Sequence, residues 1–197
     1  MLTPTSDAAA ALEAAVARYR DDGDVPALLA RLQELADRAT TDELIAAVLP
    51  YRTIPEVAGP LFERIVADRP DDARALVGLA NAYWLTGRGG EVVGELASRA
   101  IAADPANRGG WHLWALSEEE PRRRTERWEQ IVRRFPDDEL ARATLADNAA
   151  SLAGAEHDPV ALALAIEQYE ALLRTATRAD QRAALETALQ TLRGWKL

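Results

Sequence analysis

The sequence predicts an all-α chain, and three observations carry that prediction. The apolar residues are mostly alanine and leucine, the best helix formers. Aromatic residues make up 6% of the chain, and the valine, isoleucine and aromatic enrichment of strands is missing. Apolar positions recur at 3/4 spacing, as in Leu28, Leu29, Leu32 and Leu35. Glycine, proline and short polar residues then cut the chain into segments of about 10 to 18 residues, a helical length.

The 197 residues suffice for one ordinary domain or a short repeat array. Hydrophobic residues are 48% and charged residues 28%, a globular composition. A net charge of −9 argues against a general nucleic-acid binder, which needs a basic face to displace counterions. Lys196 is the only lysine; with the alanine excess, this reads as a GC-rich bacterial coding bias. No cysteine is present, so there is no disulfide framework, thiolate zinc site or cysteine nucleophile. Met1 to Ala11 has no basic leader region, and no apolar run approaches the roughly 20 residues that span a bilayer. A cytoplasmic protein is expected.

Local signals place the elements in order. A first amphipathic helix covers about Asp7 to Arg20, with Leu12, Ala15, Val16 and Tyr19 on one face. Gly23 suits a left-handed cap at its end, and Asp24 suits the N-cap of a second helix over Val25 to Arg38. Thr40 with Glu43 three residues on reads as a capping box opening a third helix, through Leu49 to Pro50. Pro55 starts a fourth, ending near Asp68.

From there an internal repeat is visible. Phe62 to Asp72 has a second copy in Trp128 to Asp138, and Ala100 to Pro105 is a third version of the same helix end. Pro70, Pro105 and Pro136 recur at roughly the 34-residue period of helix–turn–helix repeats, units too small to bury an apolar face without stacking on neighbours. Between Pro70 and Pro105 the residues Leu76, Leu79, Ala80 and Tyr83, then Gly87, then Val93, Ala97 and Ala100 resemble the tetratricopeptide-repeat (TPR) signature. The next unit starts well with Trp111, Trp114 and Ala115, but Glu118 stands where tyrosine is expected; a third carries Leu145, Ala146 and Ala149, with an inter-helix turn expected over Gly154 to Pro159.

The resemblance implies a right-handed α-α superhelix, a TPR-like solenoid of about five helix pairs plus a capping helix. Residues 1–69 read as degenerate pairs, 70–177 as TPR-like repeats and 178–197 as capping helix and tail. It also implies a partner-binding concave groove lined by the first helix of each pair. Carried onto this chain, the groove positions are Arg74, Val77, Asn81 and Trp84, then His112, Leu116 and Glu119, then Leu140, Ala143 and Asp147. Only Asn81 resembles the family's carboxylate clamp for chaperone tails, so that ligand is not expected.

Catalytic and metal signals are sparse. His112 and His157 lack partners at i+3 or i+4. His157 instead precedes Asp158-Pro159, which together suit the start of a helix. Asp21 to Asp24 lacks the remaining ligands of a calcium loop, and Gly87 to Gly90 lacks the Lys-Ser/Thr of a phosphate loop. No cofactor, metal or catalysis is expected. Arg122, Arg123, Arg124 and Arg127, extended by Arg133 and Arg134, have two readings: a solvated turn answered by Glu118 to Glu120, or a ridge that forks onto acidic partners. Trp111, Trp114 and Trp128 fall in core frames, whereas Trp84 turns toward the groove. Trp195 either caps the last core layer or is held by another molecule. The chain is expected to be an adaptor for a peptide or helix of another protein, with a homodimer or a broadly held structural subunit as the alternative.

Overall fold

A computed structural model of the chain describes residues 7–196. The leader reading of the N-terminus rests largely on residues outside this range, and Leu197 also lies outside it. Among the described residues are eleven α-helices and no strand: α1 (Asp7–Asp22), α2 (Val25–Arg38), α3 (Thr41–Val48), α4 (Pro55–Asp68), α5 (Ala73–Leu85), α6 (Gly90–Ala103), α7 (Arg108–Leu116), α8 (Pro121–Arg134), α9 (Glu139–Glu156), α10 (Pro159–Thr175) and α11 (Ala179–Arg193). This all-α arrangement fits the expected TPR-like solenoid.

The predicted punctuation sets most boundaries. Gly23 adopts φ +67°, a conformation that costs a side chain dearly, and ends α1. The Asp24 carboxylate accepts from the Ala27 N–H at the start of α2. Both halves of the Thr40–Glu43 capping box are formed. Leu49 falls outside α3, in a 3₁₀ turn over Leu49–Tyr51, because Pro50 has no N–H to continue the ladder.

The sequence repeat is also a backbone repeat. The residue before each repeated proline leaves the helical region: Arg69 at φ −129°, ψ 76°, Asp104 at −141°, 95° and Phe135 at −126°, 77°. Clash with the proline ring excludes the helical region there. Three residues on, Asp72, Asn107 and Asp138 each donate their N–H to that residue's carbonyl, at 3.1, 3.0 and 3.0 Å. Their side chains then accept from the first turn of α5, α7 and α9. Proline ends one helix, and the turn it enforces delivers the cap of the next.

By packing, the chain divides into two compact units, 1–117 and 118–197. The core of the first is built on Leu12, Leu28, Leu44, Leu61, Ile65 and Leu76, all fully buried. Alanines such as Ala80, Ala97 and Ala100 are fully buried too, so these helices approach closely. At Gly78 the approach is absolute: the Phe62 ring lies 2.4 Å from where a β-carbon would stand. The second unit packs Trp128 (2% exposed), Ile131, Leu145, Ala149 and Ala165. The long turn expected over Gly154 to Pro159 is instead two residues, because α9 runs on through Gly154 to Glu156. His157, at φ 53° in the left-handed region, closes it. The missing β-carbon of Gly154 lets the Trp195 indole lie against α9, 3.3 Å from that position. Trp195 therefore covers the end of the second unit.

Candidate functional site

The groove positions expected from the repeat register divide between the units, and each unit is described by itself. In the first, Arg74, Val77, Asn81 and Trp84 sit on α5, and His112 and Leu116 sit on α7. Short turns make successive helices antiparallel, so α5 and α7 run parallel. They meet where a Val77 methyl lies 3.0 Å from the position a β-carbon on Gly109 would take. Counting along both helices from that contact, Asn81 and His112 stand at one level, and Trp84 and Leu116 one turn further. Val77, Asn81, His112 and Leu116 are half-buried, while Arg74 and Trp84 are exposed.

The side chains on this face of α5 lack internal partners. No described residue forms an ion pair with the Arg74 guanidinium, none hydrogen-bonds the Asn81 amide, and Trp84 leaves 41% of its surface in solvent. Tyr83, one position earlier, shows the contrast. Its hydroxyl donates to Glu63 at 2.7 Å, and the Arg88 guanidinium lies 4.4 Å from its ring centroid. Burial, with the Glu63 carboxylate adding to it, pushes the Tyr83 phenol up from its ordinary value. Tyr83 is built in; Trp84 faces out.

On α7, Trp111 and Trp114 pack edge to face at 5.6 Å, and the Trp111 indole N–H donates to the Pro105 carbonyl at 3.1 Å. Both are half-buried, so they line the structure as well as filling it. The helix ends at Leu116. Ser117 turns its hydroxyl back to the Trp114 carbonyl at 2.9 Å, and Pro121 holds Glu120 extended. Glu118 and Glu119 thus lie in the turn before α8, not on the helix whose register would have aimed Glu119 into the groove.

In the second unit, Leu140 and Asp147 on α9 are exposed and Ala143 is half-buried. Asp147 accepts from the Tyr169 hydroxyl of α10 at 2.5 Å. Burial first, and then this bond, push the Tyr169 phenol far above its ordinary value.

The arginines of α8 have internal partners as well. Arg122 pairs with Glu156, and with Asp158 at 2.9 Å. Arg124 donates to the Asn148 amide oxygen at 2.8 Å and to the Glu118 carbonyl at 3.2 Å. Arg127 pairs with Glu118 at 2.8 Å, and Arg133 with Glu129 at 3.5 Å. Arg123 is exposed. Three of the four ridge guanidiniums therefore hold α8 to its own surroundings. Sequence reading could not find this, because Glu156 and Asp158 lie 34 and 36 residues from Arg122.

Sequence signals were also silent on several exposed apolar side chains. Val25 and Leu29 on α2 line a cleft with Pro55 and Pro60 of α4 and with Tyr83. Leu29 had looked like a core position because it shares the 3/4 pattern, yet 43% of it is exposed. Among the described residues no group of three or more His, Cys, Asp or Glu is placed to hold a metal, and no helix is long and apolar enough to cross a membrane.

Stacked helix pairs, a proline-delimited repeat and an aromatic-bearing face on the first helix of a pair define an all-α, TPR-like helical-repeat protein. Known structures share the fold over most of the chain. MamA matches with a TM-score of 0.59 at 16% identity, over 87% of this chain and 97% of its own. TTC0263, a thermophilic TPR protein of Thermus thermophilus, matches with a TM-score of 0.58 at 18% identity, over 93% and 99%. The Pseudomonas aeruginosa protein pilF matches with a TM-score of 0.59 at 15% identity, over 98% and 96%. No protein-family model and no curated protein matches the sequence. At such identities the likeness establishes the fold alone.

Proposed function

We propose that the chain is a non-catalytic adaptor that holds a peptide or helix of another protein along the α5–α7 face of its first unit. The observation that carries this reading is the contrast between two arginine-bearing faces. On α8, Arg122, Arg124 and Arg127 are engaged by the chain's own acceptors. On α5, Arg74, Asn81 and Trp84 have no such partners. A fork for a carboxylate, an amide for a peptide backbone about two turns on and an aromatic plate one turn beyond that suit an extended or helical segment carrying an acidic and an apolar residue. The TPR-like fold supports the reading, since stacked helix pairs present extended surfaces of this kind.

The test is a comparison of wild type with the Asn81→Ala, Trp84→Ala, His112→Ala triple variant, by affinity capture from the source organism followed by direct titration of each captured protein. The expected result is a partner whose affinity falls at least about tenfold with Trp84→Ala alone and is lost in the triple variant. If every captured protein binds wild type and triple variant equally, the assignment of this face is wrong.

A further inference from the structure

A cleft of about 800 Å³ opens between α10 and α11 in the second unit. Leu173 and the buried Leu189 contribute its apolar lining, and its charged walls are Glu170 and Arg174 on α10 and Arg182, Glu186 and Arg193 on α11. Three of these charges, Glu170, Arg182 and Arg193, are engaged within the chain. Arg193 pairs with Glu170 at 2.7 Å. Arg182 donates to the Leu173 and Ala176 carbonyls at 3.1 and 3.2 Å, satisfying the end of α10. Its distance to Glu186 is 3.9 Å, the outer limit of an ion pair, so Glu186 is only loosely neutralised. Arg174 has no carboxylate partner among the described residues. An arginine on one wall and a glutamate on the other are thus left with unmet charge, of opposite sign.

We propose that this cleft is a self-association site, in which a second copy of the chain docks about a two-fold axis and each Arg174 meets the other copy's Glu186. The argument rests on charge. A chain of net charge −9 repels its own copies over most of its surface. A two-fold contact brings one patch against itself, so a charged patch can serve only if it carries both signs in complementary positions. The cleft does so, with three arginines and two glutamates, making it locally positive on an acidic protein. A two-fold axis forms the Arg174–Glu186 contact twice, and the half-buried Leu173 of each copy is covered further.

Sedimentation velocity on the full chain, from about 5 to about 500 µM, tests this. The expected result is a reversible monomer–dimer equilibrium. Arg174→Glu and Glu186→Arg should each weaken it at least tenfold, and the double swap Arg174→Glu/Glu186→Arg should restore it to near the wild-type constant. Both positions lie on exposed helix surface, so circular dichroism should report unchanged folding. Trp84→Ala, in the other unit, should leave the dimer constant unchanged, which separates this proposal from the adaptor reading. A monomer at all concentrations overturns the proposal. So does a dimer indifferent to the single swaps, one lost with Trp84→Ala, or a double swap that fails to rescue.

Discussion

Gly78 shows how finely the repeat is fitted at the level of one atom. A methyl group there would stand 2.4 to 2.6 Å from three carbons of the Phe62 ring, and Phe62 is itself buried, so the ring cannot simply swing aside. Gly78→Ala is therefore expected to cost about 1–3 kcal/mol through overpacking, despite the gain in helix propensity that alanine normally brings. Urea denaturation measures it. In a Phe62→Leu background the same substitution should cost clearly less, and a strictly additive pair would count against direct conflict between the two side chains. Gly78 lies between the signature residues Leu76 and Leu79, and nothing in its local sequence gives the reason for a glycine. That reason depends on a ring sixteen residues away.

Among elements, the α9–α10 turn and the start of α8 depend on one another. Asp158 accepts from the Val160 and Ala161 N–H groups at the head of α10 while pairing with Arg122 at the head of α8. Arg122→Ala is expected to speed amide hydrogen exchange over residues 157–162 and leave the C-terminal half of α10 unaffected. An unchanged exchange pattern would show that the pairing does not order the turn. This pairing also marks the limit of what sequence discloses. The caps at Asp24, Thr40 and Asp158 and the glycine at Gly23 act within four residues, so their chemistry is visible locally. The α5 positions Arg74, Asn81 and Trp84 were carried over from the TPR resemblance, whose register follows the helix period and so needs no knowledge of distant contacts. The turn position of Glu119 and the partners of Arg122, Arg124 and Asp147 follow from how helices stack or where one of them stops, and no local spacing encodes either. Leu29 misled for the converse reason: a 3/4 pattern records an apolar face, not whether another helix covers it.

At the scale of the molecule, these local carboxylates give the stability of the fold a direction in acid. Glu43 is held below its ordinary value chiefly by the Thr40 N–H. Asp68 is held down chiefly by Arg64, Glu120 by the Arg123 N–H and Asp158 by the Ala161 N–H. A group whose folded pKa is depressed contributes fully above its unfolded value and loses that contribution as pH falls through the folded one. Thermal midpoints should thus hold steady from about pH 8 to about pH 5 and fall below about pH 4; a midpoint that rose in that acid range would contradict the sign. Repulsion among the 23 lysines and arginines then acts in the same direction. The helix starts carry one more implication. Asn107 caps α7 through its Oδ1, accepting from the Gly110 N–H, in the same proline turn where Asp72 and Asp138 cap α5 and α9. An uncharged amide already does in one repeat what an acid does in its neighbours. The acidity of this chain and the grammar of its helices are accordingly separable traits, and the surface charge can drift, or be engineered, cap by cap without rewriting where any helix begins.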